Sequence, residues 1–384
     1  MSDFHFQELP PLSLYVHIPW CVRKCPYCDF NSHAVRDELP EREYVDALLQ
    51  DLDADIAAVQ GRSLTSIFFG GGTPSLFSAE ALDRLLQGVQ ARVPFHNEIE
   101  ITLEANPGTF EQDKFRGFRQ AGINRLSIGI QSFQDTQLRH LGRIHSGTEA
   151  QRAIEQARAA GFDNFNLDLM HGLPDQTPEQ ALDDLKIALS HGPQHLSWYQ
   201  LTIEPNTEFY SRPPQLPEDD ILWEIQEQGQ ALLAARGLHQ YEVSAYARPG
   251  REARHNLNYW EFGDYLGIGA GAHGKITWRE RQEVIRSWKT RNPSHYLSRL
   301  GQYRAGQEAI APVDMPFEFL MNALRLTAGV DEGLYVQRAG LPLSTLEPML
   351  SESRQRGWMD PSRLQTTAQG FRYLNEVLAQ FISD

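Results

Sequence analysis

The sequence has little cysteine, no excess of positive charge and no long apolar run. Only three cysteines occur in 384 residues, and their close spacing is too tight for a disulfide framework. Lys and Arg total 35 against 50 Asp and Glu, a net charge of −15, which argues against nucleic acid and anionic membrane surfaces as partners. No apolar run approaches the length of a membrane span, and the mean hydropathy is −0.45.

The N-terminal segment, MSDFHFQELPP, has no basic stretch before an apolar run. It therefore does not look like a secretory signal peptide. We expect a cytoplasmic protein, in which reduced thiols are available to bind a metal or a cluster.

A glycine followed by a short apolar run recurs along the chain, at Gly122, Gly161, Gly192 and Gly237. Glycine accepts the left-handed conformation that ends a helix, and the residues that follow are typical of strands. Earlier strands are predicted at 12–18, 66–70 and 98–105, with helices near 41–60, 78–91 and 110–121.

At least six strand–helix units are predicted up to about residue 203. Their alternation predicts an α/β fold with a parallel sheet and right-handed crossovers. We expect an incomplete parallel barrel of the (β/α)6 type, and a doubly wound sheet is the alternative. Two helix starts carry capping boxes, Thr177 with Gln180 and Thr148 with Gln151.

The sequence changes character after about residue 310. FEFLMNALRLTAGV, LSTLEPMLSESRQRG and GFRYLNEVLAQFI predict amphipathic helices, with a small hairpin between the last two. The pattern is similar to a winged-helix module that is not basic, so we expect a lid or an interaction surface. The predicted division is 1–278 for the barrel and its extension, 279–312 for a polar connection and 313–384 for the helical domain.

Polar or glycine-rich residues follow five successive predicted strands, where parallel α/β folds place their chemistry. They are Cys21 to Cys28, the GGGTP run at 70–74, Glu104, Gln131 and Asp168. Each has a simpler explanation: the glycines could form only a tight turn, Glu104 could cap a helix, and Arg143 could be a surface cation. Their convergence predicts a ligand site, although the glycine run lacks the dinucleotide-binding spacing.

The cysteines Cys21, Cys25 and Cys28 have the spacing C-x3-C-x2-C. Zinc requires four ligands, and His33 could complete a Cys3His site. Three cysteines could instead hold a 4Fe-4S cluster and leave one iron open to another ligand.

This spacing, with Tyr27 before the last cysteine, resembles the signature of the radical S-adenosylmethionine family. The stretches YVHIPWC, FFGGGTPS, LEANP, LSIGIQSF, LGRIHS and LDLMHGLP are similar to one branch of that family. This branch contains oxygen-independent coproporphyrinogen oxidases and heme chaperones, and the resemblance covers almost the whole chain.

The resemblance implies that Cys21, Cys25 and Cys28 ligate a 4Fe-4S cluster whose open iron binds S-adenosylmethionine. Tyr15 and Tyr27 would flank these cofactors. The remaining contacts to S-adenosylmethionine would come from Gly71, Gly72 and Thr73 at its methionyl end and from Glu104, Gln131, Arg143 and Asp168 elsewhere.

Phe30 separates the two functions of this branch. The oxidases resembled here carry a fourth cysteine at the place of Phe30, and a longer segment before the cluster than the 20 residues that precede Cys21. Both differences favour a heme chaperone. The alternative is a coproporphyrinogen III dehydrogenase, in which a 5′-deoxyadenosyl radical abstracts hydrogen from propionates that then lose carbon dioxide.

HNLNYW, residues 255–260, is similar to a motif of the heme chaperones. Histidine is a common axial ligand of heme iron, and aromatic rings stack on a porphyrin. We therefore expect heme to be bound by His255, with Asn256, Tyr259 and Trp260 beside it. The alternative is a loop held by a His–Asn pair, and no heme role is assigned to His17, His145, His171 and His273.

The resemblance also implies partners. A heme chaperone would bind heme and deliver it to apo-cytochromes of the respiratory chain. Contact with a membrane would then be peripheral, through the acceptor, and the chain could form a homodimer.

Overall fold

A computed structural model describes residues 3–35, 38–108 and 112–382, which form one long sheet with helices against it. The strands are β1 (Leu12–Ile18), β2 (Trp20–Cys21), β3 (His33–Ala34), β4 (Leu64–Gly71), β5 (Phe95–Ala105), β6 (Arg125–Gln131), β7 (Phe165–His171), β8 (His195–Gln200), β9 (His239–Glu242), β10 (Ala245–Ala247), β11 (Asp264–Ile268), β12 (His273–Trp278), β13 (Glu283–Lys289) and β14 (Arg304–Ala309).

The helices of the described residues are α1 (Glu41–Ala54), α2 (Ala79–Gln90), α3 (Gln112–Gln120), α4 (Asp135–His140), α5 (Gly147–Ala159), α6 (Pro178–Ser190), α7 (Glu208–Ser211), α8 (Asp219–Ala235), α9 (Arg254–Trp260), α10 (Pro293–Ser298), α11 (Met315–Ala323), α12 (Glu332–Ala339), α13 (Met349–Gln355), α14 (Ala368–Arg372) and α15 (Leu374–Ala379). Short 3₁₀ turns occur at Ile56–Val59, Pro74–Leu76 and Leu343–Leu346. None of these helices is long and apolar enough to cross a membrane.

The large sheet has the order β14-β13-β12-β11-β1-β4-β5-β6-β7-β8-β10-β9. The six predicted strands, β1 and β4 to β8, are parallel and follow one another in chain order. This confirms the incomplete parallel barrel, because a doubly wound sheet would reverse its order partway. The later strand β11 pairs in parallel with β1 on its other side, and this pairing was not predicted.

Local signals placed most helix ends correctly. Thr177 and Gln180 form the predicted capping box at the start of α6, and Gly161 has a φ of 92° just after α5. The second predicted box, Thr148 with Gln151, is wrong. The box at the start of α5 is formed two residues earlier by Ser146 and Glu149, because Thr148 already lies inside the helix.

Three hydrophobic clusters of buried residues occur in the described part of the chain. The largest packs the sheet, for example Leu14 and Val16 of β1, against the surrounding helices. The second joins α11, α12, α13 and α15 with Phe4, Phe6 and Phe262, and a third, small cluster packs against Tyr27. Residues 279–312, predicted as a polar connection, contain β13, α10 and β14, so this segment extends the sheet.

The C-terminal region is mainly helical, as predicted, but its helices are shorter and more numerous. The helix α12 was not predicted, and a 3₁₀ turn precedes α13 within LSTLEPMLSESRQRG. A bridge between Met359 and Thr366 lies at the place of the predicted hairpin. A second bridge, Val330 with Leu364, joins this hairpin to the segment between α11 and α12, and a third, Glu242 with Leu326, joins that segment to the end of β9.

Candidate functional site

The C-terminal ends of the parallel strands surround a cavity of about 420 Å³. Its lining includes most of the predicted residues, namely Cys21, Cys25, Cys28, Tyr27, Gly71, Gly72, Thr73, Glu104, Gln131, Arg143, Asp168, Asn256 and Trp260. Tyr15 and Tyr259 line an adjoining cavity, and His255 lines neither. A larger cleft of about 890 Å³ lies between α8 and α14 and contains none of the predicted site residues.

Cys21 ends β2, Cys25 and Cys28 lie in the loop between β2 and β3, and all three are half-buried and free of disulfide bonds. Burial raises the pKa of Cys21 and of Cys28. The Arg143 Nη1 atom lies 3.8 Å from Cys25 Sγ, so a positive charge from outside the loop would favour the thiolate of Cys25.

The donor set fits a cluster better than a single ion. Among the described residues, no three Cys, His, Asp or Glu side chains are placed to hold one metal ion, which gives the Cys3His zinc alternative with His33 no support. A 4Fe-4S cluster takes one thiolate per iron, and its sulfur ligands are therefore spread more widely. Three thiols beside one cavity, with no nearby fourth, match a cluster with one open iron.

The glycine run after β4 lets backbone approach the cavity closely. Gly71 has a φ of 110°, and a Cβ there would lie 2.5 Å from the imidazole of His17. A Cβ on Gly72 would lie 2.5 Å from the carbonyl oxygen of Trp20. A side chain at Gly71 would collide with the His17 imidazole, and one at Gly72 would collide with the backbone of Trp20, so glycine is required at both positions.

Arg143 is held inside the site and is not a free surface cation. Its Nη2 atom donates to Asn106 Oδ1 at 2.7 Å and to the Gly129 carbonyl at 2.8 Å. Asn106 in turn donates to Thr73 Oγ1 at 2.8 Å. This chain of bonds fixes a guanidinium beside the glycine turn, where it can bind a carboxylate.

Gln131 ends β6 with a φ of 67°, an uncommon conformation for a residue other than glycine. Its Oε1 atom accepts a hydrogen bond of 2.9 Å from the Tyr199 hydroxyl. The strained residue is therefore held by a side chain from β8, two strands away in the sheet, and such strain is common at ligand sites.

Two carboxyl groups face the cavity, Glu104 from β5 and Asp168 from β7, the two strands that flank β6. Burial, and then the nearby Asp168, raise the pKa of Glu104 to about 8 although the Gly71 amide donates to it. Burial also raises the pKa of Asp168, although hydrogen bonds from Ser127 (2.9 Å) and Asn166 (2.7 Å) act in the opposite direction and lower it. Glu104 thus bonds across strands and does not cap a helix.

The raised pKa of Glu104 predicts a pH-dependent stability. The carboxyl group stabilises the fold below its unfolded pKa of about 4.5, and this contribution is lost as pH rises through about 8. We expect the melting temperature of the ligand-free wild type to fall by several degrees between about pH 5 and pH 9. The melting temperature of Glu104→Gln should not show this fall. Calorimetry across this range, with the exposed Glu98→Gln as control, measures the difference, and parallel curves for Glu104→Gln and wild type would contradict it.

The HNLNYW segment forms the helix α9 and not the loop of the alternative prediction. His255 is 7% exposed, its Nδ1 atom lies 3.1 Å from Glu100 Oε1, and its ring packs 4.1 Å from that of Phe68. Glu100 also accepts hydrogen bonds from the backbone amides of Arg254 and His255. Glu100 therefore caps α9 and orients His255 within the barrel.

A hydrogen-bonded chain connects α9 to the carboxylate of Asp168. Asn256 donates to the Tyr241 hydroxyl at 3.0 Å, and this hydroxyl lies 2.8 Å from His195 Nε2. His195 Nδ1 lies 2.7 Å from Asn166 Oδ1, and Asn166 donates to Asp168 at 2.7 Å. The predicted heme motif and the predicted adenosylmethionine residues are thus parts of one network.

Several lining residues were not predicted, namely Asn106, Ser127, Ser197, Tyr199, Glu242, Ser244 and Arg325. Tyr199 lies near the end of the sixth parallel strand, so the strand-end argument would have found it. Arg325 pairs with Glu242 at 3.1 Å and lies 4.3 Å from the Trp260 ring. Glu242 and Trp260 follow the six parallel strands in the sequence, and Arg325 belongs to the C-terminal region. No pattern in the sequence indicates that these residues meet at the cavity.

Comparison with known proteins agrees with this arrangement. Residues 15–188 match the Radical SAM superfamily. The chain aligns with the crystallised coproporphyrinogen III oxidase HemN of Escherichia coli, a radical SAM enzyme, with a TM-score of 0.81 and 25% identity over 97% of this chain and 90% of HemN. The fold and site therefore define a radical SAM protein.

Proteins similar in sequence indicate which branch of the radical SAM proteins the chain belongs to. The chain is 52% identical to the heme chaperone HemW of Escherichia coli K12, over 98% of this chain and 100% of HemW. It is 51% identical to HemW of Haemophilus influenzae and 35% identical to HemW of Bacillus subtilis, covering 98% and 97% of this chain and 99% of each relative. The chain belongs to the HemW family.

Proposed function

We propose that Cys21, Cys25 and Cys28 hold a 4Fe-4S cluster and that S-adenosylmethionine occupies the cavity beside it. Such a cluster leaves one iron open, to which the amine and carboxylate of S-adenosylmethionine bind in the family that the sequence resembles. The cavity of about 420 Å³ lies within the usual range of small-ligand sites. Thiol ligands of this kind fit a reducing, cytoplasmic location.

The side chains around the cavity suit the parts of S-adenosylmethionine. The close backbone approach at Gly71 and Gly72 leaves room for the methionyl end, with Thr73 beside them. Arg143 provides a charged partner for a carboxylate. The remaining predicted contacts are Glu104, Gln131 and Asp168, which offer oxygen acceptors to an ammonium group or to ribose hydroxyls, with Tyr27 in the lining and Tyr15 in the adjoining cavity.

The proposed function of the whole protein is that of a heme chaperone, which binds heme and transfers it to apo-cytochromes of the respiratory chain. The observation that carries it is the full-length identity of 52% to the heme chaperone HemW. Phe30 agrees, because its ring is 60% exposed at the mouth of the site where the resembled oxidases carry a cysteine. Contact with a membrane would come through the acceptor, and a homodimer remains a proposal.

The second candidate is a coproporphyrinogen III dehydrogenase. The observation that favours it is the shared fold with HemN. Both functions require a tetrapyrrole carrying propionates, so binding alone does not separate them. Catalytic turnover separates the two functions, because only the dehydrogenase releases carbon dioxide from the propionates.

The test uses protein with a reconstituted cluster under anaerobic conditions. Coproporphyrinogen III, S-adenosylmethionine and a reductant are added, and the product is followed by chromatography. Hemin is titrated in parallel on the same preparation and followed by its Soret absorption. We expect saturable hemin binding without turnover, and catalytic turnover would establish the dehydrogenase instead.

A further inference from the structure

A second cavity, of about 530 Å³, adjoins the first. The two share Phe30, Gly71 and Glu104. The second cavity is mainly aromatic, and its rings are Tyr15, Phe30, Phe68, Tyr259 and Tyr265. Some of these rings are already ordered by one another, since Tyr15 stacks on Phe68 at 6.2 Å and Tyr259 meets Tyr265 edge-on at 4.7 Å.

This lining suits a flat, largely apolar ligand. Aromatic side chains bind such ligands through large contact areas at low cost in side-chain entropy. Three residues at the cavity, Phe30, His273 and Arg291, are exposed, so the cavity opens to solvent. A ligand held here would be accessible to an acceptor protein, whereas one enclosed in the barrel would not.

The two histidines of this cavity differ in their availability. His17 is buried, and its Nδ1 and Nε2 atoms each lie 2.9 Å from an oxygen, of the Tyr15 hydroxyl and the Asn31 carbonyl. His273 is exposed at the start of β12 and stacks beside Trp288 at 6.5 Å. Within the described part of the chain, neither ring nitrogen of His273 has a hydrogen-bond partner.

The electrostatic surroundings favour a neutral, ligating form of His273. Partial burial, and then Arg291 and Arg286, lower its pKa. A neutral imidazole is the form that ligates a metal. Since no carboxylate of residues 3–35, 38–108 or 112–382 holds the ring in place, His273 can turn toward a ligand that enters the cavity.

Arg291 contributes its guanidinium to the lining of this cavity. Its neighbours Arg286 and Arg304 form ion pairs with Glu318 and Asp55. The Arg291 guanidinium has no carboxylate partner among the residues that the structure describes, although its backbone carbonyl accepts a hydrogen bond of 2.8 Å from Asn31. An unpaired guanidinium at the mouth of an aromatic cavity is suited to a ligand carboxylate.

His255 is placed less well for direct ligation. It lies behind Phe68, packed on that ring at 4.1 Å, and its Nδ1 atom is engaged by Glu100. The same helix nevertheless contributes Tyr259 to the aromatic cavity and Trp260 to the first cavity. His255 thus supports the wall from which Tyr259 projects.

We propose that the aromatic cavity is the heme site, that His273 is the axial ligand of the iron, and that Arg291 binds a heme propionate. This inference rests on the proposed heme-chaperone function and gives it a location. In this arrangement His255 is a positioning residue, which holds α9 and Tyr259 in place through Glu100. The cluster and S-adenosylmethionine remain in the neighbouring cavity.

The experiment titrates hemin, and separately iron-free protoporphyrin IX, into cluster-containing protein, with difference spectra and fluorescence as readouts. The variants are His273→Ala, Arg291→Met and His255→Ala. The controls are His239→Ala and Arg251→Met, which change exposed residues outside both cavities. Circular dichroism establishes that each variant is folded.

We expect His273→Ala to weaken hemin binding by about tenfold or more, shift the Soret maximum and leave protoporphyrin binding unchanged, because only the iron bond is lost. Added imidazole should restore the Soret position. Arg291→Met should weaken both porphyrins by about three- to tenfold without a Soret shift. Hemin binding to His273→Ala with the wild-type spectrum and affinity overturns the inference, as does loss of the Soret signature only in His255→Ala. Absence of hemin binding by the wild type instead refutes the proposed function itself.

Discussion

Cys25→Ser is expected to eliminate the iron–sulfur cluster and, with it, the binding of S-adenosylmethionine. Cys25 is the thiol nearest to Arg143, at 3.8 Å. A serine hydroxyl is a much weaker ligand for iron than a thiolate, and only three cysteines are present. Cys25 itself belongs to none of the three hydrophobic clusters, so the fold should persist. Iron and sulfide content, absorbance near 400 nm and calorimetric titration with S-adenosylmethionine measure these losses.

The matched control is Val22→Ser, which introduces the same side chain into the same loop. Val22 is 47% exposed, and the three thiols remain. We expect normal iron content and normal binding of S-adenosylmethionine. Cluster content in Cys25→Ser equal to that of Val22→Ser would mean that the cluster is held elsewhere or is absent.

Glu100→Gln is expected to lower the free energy of unfolding by about 3 kcal/mol at pH 7. Burial alone would raise the pKa of Glu100, but the hydrogen bond from His255 and the charge of Arg125 outweigh it and lower this pKa to about 2. The substitution also leaves the Arg125 side chain, which is 1% exposed, without its nearby carboxylate. An uncompensated buried charge is among the most destabilising changes in a folded protein.

The effect of Glu100→Gln should depend on pH in a defined direction. Because the folded-state pKa is depressed, the stabilisation is present above the unfolded pKa of about 4.5 and is lost as pH falls through about 2. Urea denaturation at several pH values measures it. The control is Glu98→Gln, whose side chain is 75% exposed and pairs with a half-exposed Arg254, and which should cost less than about 1 kcal/mol. Equal destabilisation by both variants would show that the buried network contributes little.

The sequence predicted the parts of the fold that local chemistry determines. Glycines that end helices and residues that cap them act within one turn, so the strand–helix units were placed correctly. The pairing of β11 with β1 joins Asp264 to Leu12, and no local signal encodes such a distant contact. The same holds for residues 279–312, whose polar strands β13 and β14 are recognisable only once β12 provides an edge to pair with.

In the candidate site, too, the residues placed by local patterns were predicted and those placed by distant contacts were not. Residues at strand ends were predicted because parallel strands bring those ends together whatever the loops do. His273 could not be distinguished from His17 in the sequence, because the difference is in their hydrogen bonds. Arg325 reaches the first cavity from the C-terminal region, and its role there depends on how that region packs on α9.

The wall shared by the two cavities gives them a thermodynamic connection. Glu104 and Gly71 belong to both, so a cation that enters the first cavity and draws a proton from Glu104 changes the field in the second. Linkage requires the influence to be mutual: by whatever factor S-adenosylmethionine alters the affinity for heme, heme alters the affinity for S-adenosylmethionine. With heme and S-adenosylmethionine in the two cavities as proposed, the release of heme would change how tightly S-adenosylmethionine is held, and Glu104 would contribute to that change through its protonation.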